Sequence, residues 1–396
     1  MLAVSTQSRR GAEPIVSSCS SSLRGLLKPA CIVALLVAIT LTSSTKAQQI
    51  RRFLYVAVPG AGNESEYRGV GILVFDIDKG HSFVKRIPTW PPAAGEQPEQ
   101  VRGIAASAGA RRLFVSTVKR LAAFDLVTDK IVWEKTYDGN CCDRIALSPD
   151  GATIYAPAFG APKWHVVDAS NGTLQGTIDV MGWPRQAIFS PDGAFVYLSA
   201  WESPVLSVVD VKARKVVREI GPFSNYVCPF TINGRASQVF ANVDGLIGFE
   251  VGDLQTGLIL DRVVVEGYQM DVVEKYECPS HGIALTPDER ELWVADGVDN
   301  RLHIFDATTY PPAASTTVEV RAQPRWITFG IDGRYAYPSS GDVIERASKK
   351  VIGTLEDERG MFVHSERMLE IQFTGGDPTK AGAQSGAGQK IGKSGM

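Results

Sequence analysis

Short runs of apolar and β-branched residues, most of them five or six residues long, alternate with turn residues along most of the chain. Residues 186–220 contain four such runs, "QAIFS", "FVYLSA", "LSVVDV" and "KVVREI". A period of two residues is typical of strands with one buried face, and no helical period separates the runs. The pattern therefore predicts a four-stranded antiparallel sheet.

This four-strand pattern repeats, and two series of residues mark the repeat. In the first, an apolar residue precedes a carboxylate at Asp76, Asp125, Asp168, Asp210, Glu250, Asp306 and Glu345. In the second, a turn such as "SPDG" or "TPDE" ends at Ala110, Gly151, Gly193, Gly234, Glu289 and Gly333. The first series counts seven units. One such sheet cannot bury both faces alone, so seven sheets are expected to stack around a ring.

The two ends of the repeat region complement each other. The first unit lacks its leading strand, and the last is followed by a spare run, "RMLEIQF", at 367–373. Pairing the spare run with the first unit would close the ring and remove an exposed sheet edge. The predicted fold is all-β, a seven-bladed β-propeller of four-stranded antiparallel blades over residues 48–375, closed by a C-terminal strand. Residues 376–396 are Gly- and Lys-rich and are expected to be a disordered tail whose removal leaves folding intact.

Residues 1–47 are predicted to be a signal peptide. Basic residues precede the apolar run "ACIVALLVAITLT" at 30–42, and Thr45 and Ala47 provide a small-residue cleavage site. Thirteen apolar residues are too few to span about 30 Å of hydrocarbon. We therefore expect cleavage, with an uncleaved anchor as the alternative, and a periplasmic or secreted protein without a stable membrane span.

The repeats resemble those of a known family. "SPDGAFVYLSAWESPVLSVVDVKARKVVREI" and "TPDERELWVADGVDNRLHIFDATT" look like YVTN-type repeats of exported, WD40-like β-propellers, named for a strand that is "LYVAV" at 54–58 here. The resemblance covers about residues 50–375. It implies the propeller fold but no single function, because proteins with this repeat include binding proteins, lactonases and redox-enzyme subunits.

Four cysteines remain after the leader: Cys141, Cys142, Cys228 and Cys278. An oxidising compartment makes disulfides plausible, and four cysteines allow three pairings. Cys228 and Cys278 open strands in neighbouring blades on one face, which favours joining them and leaves a vicinal Cys141–Cys142 disulfide. Such a ring would give a flat surface like the one that quinoprotein dehydrogenases hold against their cofactor, although those chains are longer and eight-bladed. Reduced cysteines, or a soft-metal site with Cys278, are the alternatives.

The first residues of the innermost strands are the candidate ligand-binding residues. Counting back eight positions from each turn residue gives Arg102, Asp143, Arg185, Tyr226, His281 and Arg325. All six are polar or ionisable, whereas a core position would be apolar. They are expected to face the channel mouth, on the face where most loop-length variation falls and where function usually lies.

Two interpretations of these residues remain open. Arg102, Asp143 and Arg185 come from consecutive blades and would form an ion-paired group that only joins the blades. Alternatively, Arg102, Arg185 and Arg325 would bind a carboxylate or phosphate, with His281 opposite. The other histidines do not form a site, since His165 and His303 occupy equivalent strand positions that predict packing.

Composition excludes several classes of function. The net charge is −2, which gives no basic field for nucleic acid. We expect no metal and no cofactor, because the chain has no CxxC or HxxxH spacing, Walker loop or Rossmann fingerprint.

The sequence predicts a monomeric binding module for a small anionic ligand or a protein partner. Two alternatives remain. One is a lactonase- or isomerase-type enzyme acting on a carboxylate-bearing substrate, with His281 and Asp143 as proton-transfer groups. The other is a quinone-linked redox protein. In the enzyme, His281 and Asp143 come from blades nearly across the channel, so a shared substrate would have to bridge them.

Overall fold

The computed structural model describes residues 49–59, 69–268, 278–321 and 323–389. The predicted signal peptide and residues 390–396 of the predicted tail lie outside these residues. Within them, the chain forms seven antiparallel sheets and a 3-10 turn at Ile77–Lys79. The predicted all-β, seven-bladed propeller is confirmed.

Six blades follow the chain in order, each with its strands running from the channel outward. The innermost strands are β4 (Val101–Ser107), β8 (Ala146–Leu147), β12 (Trp183–Phe189), β16 (Val227–Ile232), β20 (Ser280–Leu285) and β24 (Ile327–Phe329). The second strands are β5 (Arg112–Thr117), β9 (Thr153–Pro157), β13 (Phe195–Trp201), β17 (Gln238–Val243), β21 (Glu291–Asp296) and β25 (Tyr335–Pro338). The third strands are β6 (Leu121–Asp125), β10 (Lys163–Asp168), β14 (Leu206–Asp210), β18 (Gly248–Asp253), β22 (Arg301–Asp306) and β26 (Asp342–Glu345). The outer strands are β7 (Ile131–Lys135), β11 (Leu174–Asp179), β15 (Lys215–Ile220), β19 (Ile259–Val264), β23 (Ala313–Glu319) and β27 (Lys350–Thr354).

Blade 1 joins the two ends of the repeat region. Its strands are β28 (Met368–Thr374), β1 (Ile50–Val58), β2 (Gly71–Asp76) and β3 (Ser82–Ile87), with an additional strand β29 (Asp377–Ala381) inside β28. Strand β28 pairs antiparallel with β1. This is the predicted closing strand. The innermost strands of neighbouring blades also contact one another around the ring, including β28 with β4 and with β24.

The blades pack face to face through apolar side chains. Ile188 and Tyr197 of blade 4, for example, share a buried cluster with Phe230 and Val239 of blade 5. Burying both faces of each sheet in this way removes a large apolar area from water, and this removal is the main stabilising contribution to such a fold.

The recurring "SPDG" turn has a local cause. Ser148 accepts a hydrogen bond from the Thr153 amide at 2.9 Å and donates one to the Asp150 carboxylate at 2.5 Å. Gly151 follows with φ of 73°, a left-handed conformation that glycine adopts without strain. Glu289 takes the same position in blade 6 with φ of 57°.

The carboxylate series needs one correction. In blade 5 the turn carboxylate is Asp253, which accepts hydrogen bonds from the Gln255 and Thr256 amides at 2.7 and 2.8 Å. Glu250 lies three residues earlier and instead pairs with Arg262 at 2.9 Å. Glu250 is included in the predicted series because it follows Phe249, which gives the same pattern of an apolar residue before a carboxylate.

The C-terminal region also differs from the prediction. Asp377–Ala381 form strand β29, and the described chain continues to residue 389. The predicted propeller boundary at 375 therefore lies before a strand that pairs with β28. Glycine content suggested disorder, but several of these glycines lie where a side chain would collide with the blades.

Candidate functional site at the channel mouth

Glu366 is the buried centre of a charged cluster at the mouth of the channel. Its carboxylate lies 2.9 Å from Arg325 Nη1, 3.0 Å from Arg144 Nη2 and 2.9 Å from Arg367 Nη1. Burial alone would raise the pKa of Glu366, but Arg325, Arg367 and Arg144 outweigh it and hold the pKa well below its usual range. Glu366 is therefore ionised at neutral pH.

His281 links this group to Arg185. The Arg185 guanidinium donates to His281 Nε2 at 2.9 Å, so the proton of the neutral ring lies on Nδ1, which is 3.4 Å from the Arg325 carbonyl oxygen. Burial first, and then Arg325 and Arg185, hold the pKa of His281 well below its ordinary value. His281 is thus a neutral, 3 % exposed residue with both ring nitrogens facing protein atoms. A proton-transfer role would require Arg185 to move.

Aromatic faces hold three of the arginines in place. The Arg185 guanidinium lies 4.4 Å from the Trp201 ring centroid, Arg144 lies 5.0 Å from Trp326, and Arg102 lies 5.2 Å from Phe159. A guanidinium over a ring face is attracted by the ring quadrupole, and this attraction fixes the position of the group.

We call the following residues the mouth cluster: Arg102, Asp143, Arg144, Arg185, His281, Arg325, Glu366 and Arg367. Within this cluster, five arginines outnumber the two carboxylates by three charges, because His281 is neutral. Burial, with Arg144 close by, lowers the pKa of Arg367 to about 10, which still leaves it charged at neutral pH.

The structure brings most of the predicted mouth residues together. His281 contacts both Arg185 and Arg325 directly. Arg102 and Asp143 lie near enough to the buried Arg367 to act on its pKa, which Asp143 raises and Arg102 lowers. Tyr226 does not join them through any described side-chain contact, and the residue is 43 % exposed. Asp143 pairs with the neighbouring Arg144 at 3.7 Å, so the described contacts do not form the predicted Arg102–Asp143–Arg185 chain.

Sequence reasoning missed Arg144, Glu366 and Arg367. Glu366 and Arg367 immediately precede β28, the innermost repeat strand of blade 1. The candidate residues are found by counting back from a repeat turn, and no such turn follows β28. Arg367 is the first residue of the predicted closing strand and could have been singled out for that reason, and Glu366 directly precedes it.

The cysteines form two disulfides, Cys141–Cys142 and Cys228–Cys278, the same pairs as in the sequence hypothesis. The Cα atoms of Cys228 and Cys278 are 6.6 Å apart, and the bond links blades 5 and 6. Cys141 and Cys142 are fully buried with Phe114 and Trp133. The proposed flat surface at the mouth is therefore wrong, because the vicinal disulfide packs between blades 2 and 3.

His165 and His303 are packing residues, as predicted. His165 is fully buried and stacks on Tyr137 at 5.3 Å between ring centroids. His303 is buried against Asp296, with Nε2 3.0 Å from the carboxylate. Among the described residues, no group of three or more His, Cys, Asp or Glu has the arrangement of a metal site. In the same residues, no helix has the length and apolar character needed to cross a membrane.

Comparison with known proteins supports the fold alone. No family model matches the chain, and no curated protein matches it. Among solved structures, the Cps50 (Swd1) β-propeller domain of Myceliophteria thermophila is similar, with a TM-score of 0.53 and 10 % identity over 68 % of this chain and 87 % of that one. The β-propeller fold is thus shared, whereas membership of the YVTN-type family stays a prediction.

Proposed function

We propose that this propeller is a binding module that recognises a small anionic ligand at the channel mouth. The observation that carries the proposal is that five arginines outnumber two carboxylates in the mouth cluster, on buried and half-buried side chains from several blades. Guanidinium groups that are fixed before binding pair with carboxylate or phosphate oxygens at little cost in side-chain entropy.

A ligand with two or more anionic groups fits this cluster best. Glu366 already neutralises part of the charge of Arg144, Arg325 and Arg367, so a single carboxylate would compete with it. Arg102 comes from another blade and lies against Phe159, and its buried Nε has no hydrogen-bond partner among the described residues, so it offers a donor to a ligand that bridges the mouth. Di- and tricarboxylates and phosphate esters are the expected classes.

We also propose export to the periplasm or outside the cell, and a YVTN-type ancestry. The basic and apolar leader supports the first, and the resemblance of the repeats supports the second. Two disulfides in a chain of this size suit an oxidising compartment.

A thermal-shift screen followed by calorimetry tests the binding proposal. Citrate, succinate, phosphate and sugar phosphates are added to the protein from residue 48 onward, and a ligand that binds only the folded state raises Tm. Arg185→Ala is expected to weaken binding of the best ligand by about 1.5–3 kcal/mol, the loss for one or more charge-assisted hydrogen bonds.

The matched control is Arg290→Ala, which removes an exposed arginine at the opposite end of an innermost strand. This variant should bind as the wild type does. The proposal fails if no anion shifts Tm, or if the Arg290 and Arg185 variants lose affinity equally through a general effect of net charge.

A further inference from the structure

Residues 377–389, which we call the tail segment, cross the channel on its turn side. Gly382 donates to the Glu370 carbonyl at 2.7 Å in blade 1, and the side chain of Gln384 accepts from the Ile104 amide at 2.9 Å in blade 2. Farther along, Gly386 and Gly388 contact blades 5 and 6. A segment that touches the innermost strands of these blades must lie across the axis that they surround.

The tail segment satisfies backbone groups that the blades leave unpaired. In blades 2 to 7 the inner edge of the innermost strand faces the channel, where its amides and carbonyls have no neighbouring strand in the sheet. The Leu285 amide donates to the Gly386 carbonyl at 2.8 Å, and Gly388 donates to the Ile232 carbonyl at 2.8 Å. Main-chain bonds of this kind are how an extended peptide adds to a sheet edge.

Side chains of the blades complete the site. Trp326 Nε1 donates to the Gln384 carbonyl at 2.7 Å, and Thr231 Oγ1 donates to the Gly386 carbonyl at 2.6 Å. Gln384 is 6 % exposed and has hydrogen-bond partners for both its side chain and its carbonyl. A buried side-chain amide must keep its hydrogen-bond partners, so Gln384 fixes where the segment lies along the channel.

Only small residues fit where the segment approaches the blades most closely. A Cβ on Gly386 would lie 2.5 Å from the Ala284 Cβ, closer than any normal contact. The segment "AGAQSGAG" at 381–388 has no side chain larger than serine except Gln384. This composition matches the space that the channel provides.

We propose that the turn-side half of the channel is a peptide-binding site and that the tail segment is its intramolecular ligand. The class of ligand is an extended peptide with one glutamine among glycine, alanine and serine residues. The segment does not fill the channel, because a cavity of about 720 Å³ remains between it and blades 2 to 4. This proposal is independent of the anion site at the mouth.

The test uses the full chain with a protease site inserted between Gly375 and Gly376, in the exposed β28–β29 turn. After folding, the turn is cut, and a fluorescent peptide of residues 377–396 is added. We expect the labelled peptide to exchange with the severed tail and bind the cut protein, as anisotropy will show. The uncut protein should bind at least about tenfold more weakly, because its own tail is present at a high effective concentration.

Two altered peptides and one control define the contacts. Gln384→Ala and Gly386→Leu should each weaken binding about tenfold or more, whereas Ala383→Ser, at an exposed position, should not. Equal binding to cut and uncut protein, or equal binding of all peptides, would overturn the proposal.

A second variant keeps the test valid if the severed protein unfolds. In the uncut Gln384→Ala/Gly386→Leu protein the tail should no longer bind the channel, and Tm should fall. Addition of wild-type peptide should then raise Tm. A scrambled peptide should leave Tm unchanged. No rescue by the wild-type peptide would show that the tail acts only as a part of the folded chain, and the peptide site would be wrong.

Discussion

Glu366 shows how one side chain organises the mouth. It is a 2 % exposed carboxylate that faces three guanidinium groups from the segments preceding β28, β8 and β24. Removing one partner from a buried ion pair leaves the others uncompensated in a medium of low dielectric constant. The stability of the fold around the channel mouth and the net charge of the mouth cluster therefore both depend on Glu366.

Glu366→Gln keeps the shape of the side chain and removes its charge. We expect the free energy of unfolding to fall by about 3–5 kcal/mol, measured by chemical denaturation. Added citrate or phosphate should restore part of the loss, because the anion would replace the missing charge. Asp143→Asn should cost less, since Asp143 is more exposed and lies 3.7 Å from Arg144. Equal losses for the two variants would contradict this account of the cluster.

His81 gives a pH dependence whose sign follows from its surroundings. Its Nε2 is 3.0 Å from the Tyr337 hydroxyl, and burial first, with Arg52 and Arg334 adding to it against Asp78, lowers the pKa of His81 to about 4. The unfolded chain protonates this histidine near pH 6.5. Between pH 6.5 and about 4 the unfolded state holds the extra proton, so stability is complete above that window and falls as the pH falls through it.

His81→Asn should therefore flatten the decline of Tm between pH 6.5 and pH 4. Asparagine tolerates the left-handed backbone at this position, where φ is 60°. Tm is measured at half-unit pH steps for both proteins. An unchanged slope in the variant would show that other groups cause the decline.

At the scale of elements, β28 is the strand on which closure depends. It pairs with β1 along seven residues, and without it the ring would have two exposed sheet edges. Strand β29 and the tail segment add to its inner side. The closing strand and the tail segment are consecutive in the sequence, so truncation can separate their contributions to stability.

Two truncations separate them. A chain ending at Glu366 should aggregate or lose cooperative unfolding, whereas a chain ending at Thr374 should fold with Tm lowered by several degrees. The second loss arises from the tail hydrogen bonds, each worth about 1 kcal/mol. Calorimetry measures the stability of both chains. Equal stability would contradict the assignment of β28 as the closing strand.

The two disulfides are expected to differ in their effect on stability. Cys228→Ala/Cys278→Ala opens a loop of about 50 residues and should cost about 2–4 kcal/mol, largely through the unfolded state. Cys141→Ala/Cys142→Ala opens no long loop, so its cost should come from lost packing alone. Peptide mapping of the non-reduced protein checks the bonds themselves, and four free thiols or a crossed pair would contradict the assignment.

Some elements of the structure can be predicted from the sequence and others cannot. Repeat spacing predicts the blades and the closing strand, because each blade needs the same hairpins at the same intervals. It fails where contacts come from distant parts of the chain, as with Glu366, whose partners are more than 40 residues away except for Arg367. It also fails for the tail segment, because glycines needed for close packing look the same in sequence as glycines of a disordered segment.

At the scale of the whole molecule, the channel has two differently occupied halves. The mouth side carries the charged cluster, and the turn side carries the tail segment. Trp326 lies between them, since its ring faces Arg144 and its Nε1 donates to the Gln384 carbonyl. The ring of blades thus presents charge at one end of the channel, and its own chain crosses the channel at the other.

The most direct test of the central claim is a crystal structure of the protein from residue 48 onward, soaked in selenate and measured at the selenium absorption edge. Selenate has the negative charge and the hydrogen-bond-accepting oxygens of the proposed ligand class, and its anomalous signal locates it without ambiguity. The account predicts a peak at the mouth, in contact with Arg185 and one or more of Arg102, Arg144 and Arg325. Selenate bound only at surface lysines and arginines, with none at the mouth, would contradict it.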